Sequence, residues 1–283
     1  SKHNPIIMNS LLFGTGGIPI STKKPDIYNG IKQINSLALD ALELEFVHSV
    51  FIKKEHTEKV KETAKKENVI LTAHASYYIN LNSEEKQKIG ISKSNIINAA
   101  KIAYLCGAYS VCFHPGYYMK STKEQAYERF KKEMKYIMDE LKDENINIWV
   151  RPETTGRVSQ IGSFDECLKI SKEFDNILPC IDFSKLHARS NGKNNTYQEF
   201  KEILEKYEKE LGKKALENMH IHMSGINYGE KGEKNHLVLK DSDMNYRDLM
   251  KTLKEFKCRG VVVCESPNLE EDALTMKKVY SSL

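Results

Sequence analysis

NIWVRPE, residues Asn147–Glu153, is an apolar run that closes on a carboxylate, and the same design recurs along the chain. ILPCIDF (Ile177–Phe183) carries Asp182, MHIHMSG (Met219–Gly225) carries His220, and GVVVCES (Gly260–Ser266) reaches Glu265. Upstream, VILTAHA (Val69–Ala75) reaches His74 and YSVCFHP (Tyr109–Pro115) reaches His114. Two further runs, Leu11–Gly16 and Ala41–Val47, bring the strand-like segments to eight. Between them the hydrophobic period changes to that of a helix: Phe130, Met134, Ile137, Met138 and Leu141 share one helical face, as do Tyr197, Phe200, Leu204, Tyr207 and Leu211. Eight strand–helix alternations predict parallel strands with helices outside, closed as a single (β/α)8 TIM barrel of the α/β class over residues 1–283. An open doubly wound sheet is the competing architecture.

Composition agrees with that size of core. The chain has 283 residues, 40% hydrophobic and 29% charged, enough apolar material for one barrel. Its formal charge of +4 permits a polyanionic partner without requiring one, because 39 acids nearly balance 43 basic side chains. No apolar stretch approaches a membrane span, and the first residues lack a signal-peptide core, so the expectation is a cytoplasmic monomer rather than a membrane protein. The six cysteines form no C-x-x-C pair and lie in or beside apolar patterns, which reads as buried thiols in a reducing compartment.

Each strand-end acid or imidazole has an ordinary structural explanation by itself, as a helix cap or a satisfied histidine. Together they do not. In a closed parallel barrel the carboxyl ends of the strands face one another, and the long loops after the third, fourth, sixth and seventh strands lie on the same face. Three imidazoles and three carboxylates converging there need compensation, and divalent cations supply it.

The local strings HASYYINL at His74, FHPG at His114, PETTG at Glu153, CID at Asp182, MH at His220 and CESPN at Glu265 resemble, in order, the signature segments of the endonuclease IV family of apurinic/apyrimidinic endonucleases. The resemblance implies a zinc-holding TIM barrel that cleaves double-stranded DNA on the 5′ side of an abasic site by metal-activated hydroxide. It further implies that His74, His114 and Glu153 hold one ion, that Glu153, Asp182, His220 and Glu265 hold a second, and that Glu153 bridges them and positions the nucleophile.

The third family site is altered. Where the family pattern has a His three residues after the strand-six Asp, this chain has Lys185, and the expected Asp-x-His after strand seven is replaced in EKNH. Either His187, Glu233 and His236 rebuild the site, or Lys185 supplies positive charge directly and two metals bind. His222, on the same side of its strand as His220, is a candidate second-layer or substrate-binding group. Tyr77, Tyr78, Arg157 and Arg189 are candidate DNA-binding residues around the metal face. Two other functions fit part of the pattern: a sugar isomerase or epimerase using Glu153, Asp182, His220 and Glu265 around one Mn²⁺ or Mg²⁺, and a barrel that binds nucleic acid without cutting it.

Overall fold

The computed structural model describes residues 6–283. Eight parallel strands, Leu11–Gly16, Ala41–Glu45, Ile70–His74, Ser110–Phe113, Trp149–Pro152, Cys180–Asp182, Met219–Met223 and Gly260–Cys264, pair in chain order, and the first also pairs with the eighth. Between the fifth and sixth strands the contact narrows to the parallel bridges Val150–Ile177 and Glu153–Cys180. Those bridges complete the ring of the (β/α)8 barrel that the alternation of strands and helices predicts.

The helices pack outside. The amphipathic pattern around Phe130 becomes the helix Lys123–Asp143, with Phe130, Met134, Ile137 and Leu141 buried in the hydrophobic core. A reciprocal capping box at Thr122 and Gln125 starts it, satisfying two backbone N–H groups that a helix start leaves unpaired. The pattern around Phe200 becomes Tyr197–Leu211, capped by Thr196. Strand packing is tight enough to select residues: a Cβ on Gly14 would sit 2.0 Å from the Ala41 carbonyl oxygen of the neighbouring strand.

Two small ribbons decorate the carboxyl-terminal mouth. The segment after the seventh strand, expected as an irregular loop, is an antiparallel hairpin of Gly225–Gly229 with Gly232–Leu237. Its Gly/Lys/Glu-rich sequence hides the strand signal because only part of it is covered. The glycine of FHPG enters the second ribbon, in which Gly116–Tyr117 pairs with Gln160–Ile161. Gly116 has φ 137°, and a Cβ there would meet Asn80 Oδ1 at 2.3 Å, so this position requires glycine. The loop carrying Asn80 thereby docks against the loop carrying His114, and the two strings that read as signatures are in contact. Among the described residues no helix is long and apolar enough to cross a membrane.

Candidate metal centre

Glu153 lies at the centre of the mouth, fully buried, one residue beyond the fifth strand. Its two oxygens face different partners. Oε1 is 3.2 Å from His74 Nε2 and 3.1 Å from His114 Nε2. Oε2 is 2.8 Å from Lys185 Nζ and 3.3 Å from His222 Nδ1. Burial opposes ionisation of Glu153, but the Lys185 ammonium and the imidazoles of His222 and His114 outweigh it and hold the carboxyl well below its usual range.

On the Oε2 side, Glu153, Asp182, His222 and Glu265 each present one ligand atom within 4.8 Å of the others. Asp182 caps the short helix Phe183–Arg189 through Oδ1, which accepts from the Lys185 backbone N–H at 2.9 Å. Its other oxygen, Oδ2, is buried without a hydrogen bond, and so are His222 Nδ1 and Glu265 Oε1. His222 Nδ1 is nonetheless only 3.1 Å from Glu265 Oε1. Polar atoms that crowd together without pointing at one another are arranged as ligands around a common centre rather than as hydrogen-bond partners. Burial, followed by repulsion from Glu153 and Glu265, pushes the Asp182 carboxyl well above its usual range. A cation there would reverse that, so the donor set fits a divalent ion.

The seventh strand requires a correction. His220, expected as a ligand, lies one layer deeper, with Nε2 2.7 Å from Glu43 Oε1 and Nδ1 2.7 Å from Ser110 Oγ. His222, expected as a supporting group, occupies the ligand position. The register explains this: the seventh strand pairs His222 with Asp182 and His220 with Cys180. Glu43 was given no role from the sequence, yet it is fully buried, accepts from Thr72 Oγ1 at 2.9 Å and lies 2.9 Å from His222 Nε2. An acid between two leucines in ALELE, inside a strand pattern, is the signal that was available.

The rebuilt third site does not form. Both ring nitrogens of His187 are engaged elsewhere, Nδ1 at 2.8 Å from the Lys193 carbonyl and Nε2 at 2.8 Å from Asp243 Oδ1. His236 and Glu233 lie on the hairpin, where His236 Nδ1 is 3.0 Å from the Glu265 carbonyl and the Glu233 carboxyl packs over Gly156. The three do not converge. Lys185 is buried, 3.4 Å from His114 Nε2 and 3.8 Å from Asp182 Oδ2 as well as bonded to Glu153. Burial disfavours its charge, but Glu153 and Asp182 raise its pKa well above the usual value. The ammonium is therefore a fixed cation in the cluster.

The predicted DNA-contacting residues separate into two groups. Tyr77 and Tyr78 are exposed at the mouth, with the Tyr77 ring 5.8 Å from His74 and 6.4 Å from His114. Arg157 is exposed on the adjoining loop. Arg189 is not free for a partner: its guanidinium donates to Thr155 Oγ1 at 2.8 Å, to the Gln160 carbonyl at 2.9 Å and to Tyr118 Oη at 3.2 Å. It ties the loop after the fifth strand to the helix after the sixth.

The chain is 48% identical to an uncharacterised protein of Methanocaldococcus jannaschii, over 96% of this chain and 98% of that one. It is 25% identical to a probable endonuclease 4 of Mycoplasma pneumoniae, over 70% of this chain and 68% of that one. In structure it resembles a D-tagatose 3-epimerase-like protein (TM-score 0.73, 18% identity, 96% of each chain). It resembles endonuclease IV from Thermus thermophilus to a similar degree (TM-score 0.72, 17% identity, 95% of this chain and 98% of that one). Likenesses at this identity carry the fold alone. Residues 31–280 match the family described as xylose isomerase-like TIM barrels, and the chain belongs to that family.

Proposed function

We propose that the protein is a metal-dependent phosphodiester hydrolase acting on duplex DNA with an abasic or otherwise damaged nucleotide. The observation that carries this reading is the division of Glu153: one oxygen faces His74 and His114, the other faces the set of Asp182, His222 and Glu265. A single bridging carboxylate between an imidazole pair and a mixed set is what two adjacent divalent ions require, since a shared anion offsets their repulsion. Zn²⁺ suits the imidazole-rich donors. His74, His114 and Glu153 would hold one ion and Glu153, Asp182, His222 and Glu265 the other. When bound, such a pair lowers the pKa of a water and clamps the phosphate for in-line attack.

The chain's own residues supply the remainder. Glu153 fixes the relation between the two donor sets. Lys185 places an ammonium beside them, where it offsets the negative charge that builds on the phosphate and the leaving oxygen. Tyr77 and Tyr78 offer exposed ring faces for a disrupted base stack, and Arg157 offers charge to a flanking phosphate. The test is a duplex with one abasic site: nicking at that site, absent from the intact duplex and lost with chelation, is the expected result.

A second reading has its own support. Glu153, Asp182, His222 and Glu265 suffice for one Mn²⁺ or Mg²⁺ and a polyol, as a sugar epimerase would need. One weakly held ion per chain, turnover of a ketose and no nicking would replace the hydrolase reading with this one.

A further inference from the structure

Beneath the carboxylate cluster the barrel interior carries a second set of donors with different chemistry. Cys112 of the fourth strand, Cys180 of the sixth, and His220 and His222 of the seventh each present a ligand atom, and these four atoms lie within 4.8 Å of one another. All four residues are sealed from solvent. Among the described residues none of the other four cysteines belongs to such a group. We propose that this set is a separate thiolate–imidazole metal site, a Cys2His2 centre for Zn²⁺, joined to the mouth through His222.

His222 makes the connection because its two nitrogens serve different layers. Nδ1 faces Glu153 and Glu265, whereas Nε2 faces downward, 3.7 Å from Cys112 Sγ. Ser110 Oγ, 2.7 Å from His220 Nδ1, orients that ring so that Nε2 faces inward, where it is 2.7 Å from Glu43 Oε1, a hydrogen bond that an ion would replace. Glu43 now stands between the two rings. Its Oε2 lies 2.9 Å from His222 Nε2 but outside hydrogen-bond geometry, which is crowding around a common point rather than a made bond. Thr72 Oγ1 anchors the other oxygen at 2.9 Å, so the carboxylate keeps a partner when the imidazole nitrogens turn to an ion.

The charge balance suits the location. On binding, each thiol releases its proton to solvent and the two thiolates offset the charge of one Zn²⁺; with the mouth also loaded, His222 releases its ring N–H proton to solvent as well and joins the two sites as an imidazolate. A carboxylate site of the kind at the mouth would leave excess charge there. Soft sulfur ligands also select against Mg²⁺ and Ca²⁺. The site does not depend on which substrate the mouth accepts.

The protein, stripped with chelator and reloaded with Zn²⁺, tests this by X-ray absorption at the zinc edge. A shell of sulfur neighbours at about 2.3 Å beside the nitrogen and oxygen shell is expected. Only nitrogen and oxygen neighbours at full zinc loading would overturn the proposal, and no variant is needed for that outcome. Cys112→Ser/Cys180→Ser should lose one zinc per chain and the sulfur shell, whereas Glu153→Gln should keep the sulfur shell. An unchanged zinc count in the folded double variant would also overturn it. Absence of nicking with the sulfur shell intact would count against the hydrolase reading alone.

Discussion

Replacing Lys185 with methionine separates the role of its charge from its packing. At 2.8 Å from Glu153 Oε2, the ammonium contributes about 6 kcal/mol of attraction at an effective dielectric constant near 20. Removing it also removes the cost of burying that charge. The net loss expected for breaking one side of a buried pair is therefore about 3–5 kcal/mol. That figure belongs to the metal-free protein, in which Glu153 would be left with imidazoles alone. With the mouth loaded with zinc, the ions compensate Glu153, and the loss should fall to about 1 kcal/mol or less. Reciprocity then requires Lys185→Met to bind metal more tightly by the difference, about 2–4 kcal/mol or about 30- to 1,000-fold. Urea unfolding in chelator and in saturating zinc, with a competition titration for metal affinity, measures both halves. Equal destabilisation in the two states, or unchanged metal affinity, would refute the placement of Lys185 as a charge that shares Glu153 with the ions.

Glu153→Gln should leave the far-ultraviolet circular dichroism native while lowering abasic-site nicking at least about 100-fold, and unchanged nicking would remove its bridging role. Between pH 4.5 and about 10, Glu45 and His74 make the stability of the metal-free protein fall as pH rises. Burial and the nearby Glu43 raise the Glu45 carboxyl from 4.5 to about 8, so between those values the unfolded chain gives up a proton that the folded chain retains. His74 adds to the same slope: burial lowers its pKa, but the Glu153 carboxylate outweighs that and raises it from 6.5 to about 10, so its stabilisation is present below 6.5 and lost through that interval. Glu45→Gln should flatten the part of the slope below about 8, and denaturant midpoints that do not change with the substitution would contradict the assignment. Gly14→Ala should cost at least about 1–3 kcal/mol, because the added methyl meets the Ala41 carbonyl at 2.0 Å; an unaltered thermal midpoint would contradict that contact.

The barrel was legible because two signals of different period alternate. Strands buried on both faces read as continuous runs such as GVVVC, and the covering helices read as stripes such as Phe130, Met134 and Ile137. The hairpin after the seventh strand was not legible, since its run of Gly, Glu, Lys, Asn and His, with Lys234 and Asn235 exposed, gives no periodicity to follow. The rebuilt third metal site failed for a related reason. His187, Glu233 and His236 are close to the expected positions in sequence, but His187 lies in the helix after the sixth strand and the other two lie on the hairpin. Proximity in sequence says nothing about convergence in space, and the three side chains are held against separate partners, His187 at Lys193 and Asp243, His236 at the Glu265 carbonyl and Glu233 over Gly156.

The exchange of His220 and His222 shows what a strand pattern can and cannot determine. Residues two apart on a strand face the same way, so alternation places both rings inside the barrel but cannot tell which layer each occupies. Layer is set by the stagger between neighbouring strands, and stagger is a property of pairs: His222 is level with Asp182 only because Cys180 pairs with His220. Once that register holds, the deeper ring cannot reach the mouth and needs its own compensation, which Glu43 and Ser110 supply. The interior polar layer of Glu43, Cys112, Cys180 and His220 therefore follows from the same stagger that puts His222 at the mouth. A one-residue slip of the seventh strand would bury neither ring beside a partner, so the electrostatics of both layers oppose the slip, and the metal-binding face and the polar core beneath it hold one another in register.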